Sequence, residues 1–135
     1  MINNSETLPP ELASINQLEP REALEVLLKY AAQRKASDLF FQPSDSYYTI
    51  STRQLGSIRR VVMVSKELGS QLVNLVKSSA GMELSEHRHP LDGRWAYQID
   101  GKPFEFRINS MGTLFGEDLV LRLLPTGEEC LPLEK

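Results

Sequence analysis

The sequence predicts an α+β domain with a mostly antiparallel sheet, on three observations. Two segments carry apolar residues at helical spacing, Leu24, Leu27, Leu28 and Ala31, then Leu68, Leu72, Leu75 and Val76. Short aromatic and β-branched segments lie between and after them, with turn signals at their joints. The resulting order of helix, strands, helix, strands is that of an α+β domain. The 135 residues suffice for one domain with a single core.

Residues 1–18 read as a polar, mobile lead-in; Met1 to Asn16 have neither the basic start nor the apolar run of a signal peptide. Pro20 opens the first helix, at a position where the missing N–H costs nothing. Arg34 and Lys35 close it, matching its negative end. From Asp38 the period changes. Leu39, Phe40 and Phe41 form a short strand that stops at Pro43, and Tyr47–Thr52 and Ser57–Val64 form two more around Gly56. Ser65 is placed as the N-cap of the second helix and Gly81 as its C-terminal glycine. A polar, basic loop follows, Glu86-His87-Arg88-His89-Pro90.

The last third alternates. Trp95, Tyr97 and Ile99 share one face of a strand, and Phe104, Phe106 and Ile108 share one face of the next. Asp100-Gly101 between them signals a tight hairpin. A further strand, about Asp118 to Leu124, is apolar on both faces except at Arg122, which predicts a central position.

Composition narrows the function. The net charge of −3 argues against a general polyanion or membrane-surface binder. A single cysteine, Cys130, excludes an internal disulfide; set in an acidic tail beside Glu128 and Glu129, it is a poor nucleophile. No stretch approaches the ~20 apolar residues that span a bilayer. None of the eight glycines has the spacing of a phosphate-cradling P-loop, so this chain alone is read as non-catalytic. His87, His89 and Asp92 offer metal-binding atoms, but two histidines in a polar loop, without a third histidine or a cysteine cluster, are read as solvated. No serine–histidine–acid order stands out.

The arginines are more informative. Arg94 precedes Trp95 and Arg107 lies between Phe106 and Ile108, so both point away from the apolar face. With Asp100-Gly101 as a two-residue turn, Arg94 stands opposite Arg107. Like charges across a sheet are unfavourable, and an anion or a carboxylate between them would relieve this. The pattern leaves two readings open: phosphate contact, or an exposed face neutralised by Glu105 or Asp92. Arg53, Arg59, Arg60, Arg88, Arg94 and Arg107 also offer charge to a nucleic acid, but the acidic balance and the core-like alternation of the aromatics argue against that use.

Several segments together resemble one family. They are Ala36-Ser37-Asp38-Leu39; Ile50 to Arg59; Glu86-His87-Arg88; Pro90-Leu91-Asp92-Gly93-Arg94; Phe104 to Ser110; and Gly116-Glu117-Asp118-Leu119-Val120-Leu121-Arg122-Leu123-Leu124. In order and spacing they are similar to the N-terminal domain of type II secretion and type IV pilus assembly ATPases. The resemblance implies a PAS-like fold over residues 19–125, with residues 126–135 as the start of a link to a RecA-like motor domain; Leu131-Pro132-Leu133-Glu134-Lys135 resembles that link, which implies a chain ending at a domain boundary. It further implies a hexamer in which the motor binds ATP and Mg²⁺, none of it bound by this chain alone, and a cytoplasmic location peripheral to the inner membrane through secretion or pilus platform proteins, with no nucleic-acid partner. Arginines matching Arg94 and Arg107 approach the ATP phosphates in that family, and Arg122 matches a third family arginine. The sequence departs from the family at Phe40, Gln42, Ser51 and Leu55, where histidine, glutamate, arginine and aspartate are usual; Arg53, Gly56 and Arg59 remain. A free-standing PAS-like interaction or ligand-sensing module is the alternative.

Overall fold

The computed structural model describes residues 12–82 and 90–125. Within them helix α1 spans Pro20–Gln33 and helix α2 spans Lys66–Ser79. The strands are β1 (Asp38–Pro43), β2 (Tyr47–Gln54), β3 (Ser57–Ser65), β4 (Leu91–Ile99), β5 (Lys102–Thr113) and β6 (Gly116–Pro125). They form one six-stranded sheet in the order β3-β2-β1-β6-β5-β4, with antiparallel pairing throughout. Two three-stranded meanders, β1–β2–β3 and β4–β5–β6, are thus joined through β1 and β6. The α+β expectation holds, and β6 is central, as its two apolar faces required.

The helix boundaries follow from local chemistry. The Ser65 hydroxyl accepts a hydrogen bond from the Leu68 amide at 3.1 Å, which satisfies one of the free donors at the start of α2. Both helices end in the same six-to-one motif. In α2 the Met82 amide reaches the Lys77 carbonyl at 2.8 Å across Gly81, whose φ is +72°. In α1 the Ala36 amide reaches the Ala31 carbonyl at 2.9 Å, and the left-handed residue is Lys35 at φ +57°. Arg34, expected to serve the helix end by charge, stacks on Tyr30, its guanidinium carbon 3.9 Å from the ring centre.

The core lies between the helices and one face of the sheet. Ala23, Leu24, Leu27, Leu28 and Ala31 of α1 and Leu68, Leu72, Val73 and Val76 of α2 cover Leu39, Phe41, Ile50, Phe106, Ile108, Leu119, Leu121 and Leu123. Trp95, Tyr97 and Phe104 pack against its margin, half-buried, on the same face. Leu75, placed in the α2 stripe by spacing, is half-buried, and Val73 takes the deeper position.

One feature departs from the sequence reading, and two contacts are new to it. Leu12 and Ile15 are buried in the core, and Ile15–Gln17 forms a short 3-10 turn, so the end of the polar lead-in is packed. Their three-residue spacing puts both on one side of a turn, and burial outweighs the polarity of their neighbours. Lys77 is fully buried and pairs with the buried Glu117 of β6. Burying a charge requires such a partner. The Tyr48 hydroxyl bridges the same place: it donates to the Glu117 carbonyl at 3.1 Å and accepts from the Glu117 amide at 3.3 Å. Burial raises the Tyr48 pKa and keeps the hydroxyl protonated for this role.

Candidate functional site

The second face of the sheet carries the chemistry. Asp100 and Gly101, at φ +52° and +79°, make the two-residue hairpin turn, and the register places Arg94 directly opposite Arg107. The neighbouring pairing places Arg107 opposite Arg122. Arg122 in turn faces Asp38, and Asp38 faces Arg53. Five strands therefore contribute one residue each to a single cross-sheet row: Arg94, Arg107, Arg122, Asp38, Arg53. With strands roughly 4.8 Å apart, the three arginines span about 10 Å.

Their alternation partners explain the outward direction. Phe106, Ile108, Leu121 and Leu123 are buried toward the helices, so Arg107 and Arg122 between them must point away. The arginines line a shallow depression of about 500 Å³ together with Asp38, Asp92, Gly93 and Asn109.

The charges are unevenly matched. Of the two carboxylates that the sequence offers as neutralising groups, Glu105 takes Arg94, at 3.6 Å from its Nε. Both side chains meet water, so such a pair is worth roughly 0–1 kcal/mol. Among the described residues Arg107 makes no ion pair. Asp38 is different in kind. Its carboxylate is 3% exposed, with Oδ1 accepting from Arg122 Nε and Oδ2 from Arg53 Nε, each at 3.2 Å. The Ser37 hydroxyl donates to Oδ2 at 2.9 Å. Arg53 also lies over the ring of Phe40, 5.6 Å from its centre.

The structure thus brings Arg94, Arg107 and Arg122 together and adds Arg53 through Asp38. Sequence reasoning missed Asp38. Its only local signal is a charged residue opening an apolar strand, and its partners come from β2 and β6. Arg59 and Arg60 stand apart on edge strand β3, both exposed. His87, Arg88, His89 and Cys130 lie outside the described residues. Among the described residues no three histidine, cysteine or acidic side chains group as metal ligands. Nor is any described helix long and apolar enough to cross a membrane.

Residues 16–135 match the family described as type II/IV secretion system protein. The type II secretion system protein HxcR of Pseudomonas aeruginosa is 35% identical over 111 residues, covering 82% of this chain and 24% of HxcR. The type IV pilus assembly ATPase PilB of Acinetobacter baylyi is 36% identical over 109 residues, covering 80% of this chain and 19% of PilB. The chain belongs to the type II/IV secretion system protein family, and it spans about a fifth to a quarter of the length of these relatives. The X-ray structure of the ATPase DotB of Legionella pneumophila shares the fold, with a TM-score of 0.61 over 81% of this chain and 30% of that one, at 19% identity.

Proposed function

We propose that the chain is the non-catalytic N-terminal domain of a hexameric secretion or pilus-assembly ATPase. In this reading Arg94 and Arg107, with Arg122 beside them, contact the phosphates of ATP bound by a RecA-like motor domain of the same or a neighbouring chain. The motor supplies ATP and Mg²⁺ binding; this domain supplies positive charge and moves as a rigid body when the nucleotide enters and leaves. Docking on inner-membrane platform proteins, from the cytoplasmic side, belongs to the same reading. It takes no nucleic acid as partner, in keeping with the net charge of −3.

The observation that carries the proposal is the uninterrupted run of three arginines on paired positions of β4, β5 and β6. Three like charges at strand spacing repel one another, and a phosphate group is the ligand whose oxygens satisfy several guanidinium groups at once. Charge spread over a transferring phosphoryl group is stabilised in the same way.

The test uses the protein that carries both this domain and its motor. Arg94→Ala and Arg107→Ala should each lower ATP turnover by well over tenfold, because an arginine acting on the transferring group is worth about a thousandfold or more. The melting temperature of the isolated domain should barely move, since exposed ion pairs contribute roughly 0–1 kcal/mol. Lysine at either position should rescue only in part, for want of the planar fork. Near wild-type turnover in both alanine variants would show that these arginines serve only the surface.

A second reading, a ligand-sensing module, draws on a separate cavity of about 530 Å³ between the end of α1 and the β4–β5 hairpin. Ala32, Ala36, Ile99, Phe104 and Leu123 give it apolar walls.

A further inference from the structure

Asp38 stands inside a surface read as an anion site, and at first sight it works against that use. A carboxylate among four arginines removes positive charge from the place where a phosphate would bind. Its geometry says otherwise. The carboxylate is buried, each of its oxygens is taken by a different arginine, and both contacts are made through Nε. An arginine held at Nε keeps its two terminal amino groups for another acceptor. The Arg122 side chain is 62% exposed even while it is held, so that outer end is accessible from the depression.

We propose that Asp38 is the positioning residue of the arginine row: it fixes Arg122 at Nε, beside Arg107, so that its outer amino groups meet a phosphate already oriented. Arg53 is the counterweight. It neutralises the second carboxylate oxygen from the other side, so that Asp38 stays charged without drawing the whole guanidinium of Arg122 onto itself. The Ser37 hydroxyl on Oδ2 supports the same arrangement. A long, rotamer-rich side chain loses less freedom on binding when it is already held, and that is the gain. The proposal rests on the phosphate reading given above.

Two effects of removing the carboxylate charge have opposite signs, which makes the idea testable. If Asp38 were only a counter-charge, Asp38→Asn would raise the local positive potential and tighten anion binding. If it positions Arg122, the same variant weakens binding. Salt at 0.15 M screens charges mainly beyond its Debye length of about 8 Å, so the repulsion of a buried carboxylate one guanidinium away persists; a net weakening in Asp38→Asn therefore means that positioning outweighs it.

The probe is inorganic tripolyphosphate, titrated into the 135-residue chain and followed by NMR. Asp38→Asn should weaken its binding about three- to tenfold, the range of one hydrogen bond of ordinary net strength. Arg122→Ala should cause at least that loss, and the double variant no more than Arg122→Ala. Arg53→Ala should weaken binding in the same direction but by less than Asp38→Asn, because Asp38 then draws more of the Arg122 guanidinium onto itself. Relaxation of the Arg122 Nε–H, without any anion, reads the positioning directly: ordered in wild type, mobile in Asp38→Asn.

Equal or tighter binding by Asp38→Asn, or a mobile Arg122 Nε–H in wild type, would overturn the proposal. An ordered Arg122 in a chain to which tripolyphosphate does not bind would locate the failure in the phosphate reading instead, and the proposal would fall with it. Should Asp38→Asn not fold, Arg122→Lys carries the test. Lysine can serve Asp38 or the anion but cannot divide one guanidinium between them, so a loss like that of alanine supports the proposal and retained binding refutes it.

Discussion

Gly69 shows how one residue is set by a contact distant in sequence. It lies inside α2, where glycine costs up to ~1 kcal/mol relative to alanine. A Cβ there would stand 2.2 Å from Cδ1 and 2.4 Å from Cγ of Tyr48. Tyr48 is in no position to retreat, because its hydroxyl is tied in both directions to the Glu117 backbone. Gly69→Ala should therefore destabilise the chain by about 1–3 kcal/mol, the usual range for overpacking, in spite of its better helix propensity. Urea unfolding measures this, and a stabilised variant would mean that Tyr48 moves freely. Nothing in the α2 sequence discloses the constraint, since a lone glycine within a helical stripe has no local meaning. The buried Lys77 is similar. It lies in the last turn of α2, and only the approach of β6 turns it inward onto Glu117.

At the scale of elements, the hairpins show sequence and structure agreeing closely. The Asp100-Gly101 turn and the alternation on both sides fixed the β4–β5 register, and with it the facing of Arg94 and Arg107. The β2–β3 turn has the same shape with a less suitable residue. Leu55 and Gly56 have φ +51° and +82°, and Leu55 is fully exposed. Aspartate or asparagine fits the first position of such a turn, while a leucine there pays the left-handed penalty. Leu55→Asn is expected to stabilise the chain by roughly 1 kcal/mol, seen as a higher urea midpoint with an unchanged slope. A lower midpoint would mean that the leucine makes a contact worth more than the backbone strain.

Among the described residues, the large exposed apolar side chains fall into two separate groups. Leu55 and Ile58 mark the β2–β3 turn; Met111, Leu114 and Phe115 mark the β5–β6 turn. Pairing of β1 with β2 and β6 puts these turns at opposite ends of the sheet, since Asp38 begins next to Arg53 and Phe41 lies next to Leu119. Two small clusters far apart do not make a continuous apolar patch of the size that drives stable association. The chain by itself should sediment as a monomer at micromolar concentration. A stable hexamer under those conditions would show that this domain alone encodes a ring.

By itself the sequence determined the features that rest on neighbours along the chain. These are the helices with Ser65 and Gly81 at the ends of α2, the strands with their alternation, and the hairpin that sets Arg94 against Arg107. Turn geometry and side-chain period act over a few residues, so a few residues suffice to read them. Tertiary structure decided what depends on which strands meet. Placing β6 between β1 and β5 brought Arg122 beside Arg107 and onto Asp38, extended a pair of arginines into a row, and buried Lys77 against Glu117. The same packing drew Leu12 and Ile15 out of a segment that reads as polar. Such partners are chosen by the burial of a whole sheet face against two helices, a sum over distant residues that no local segment contains.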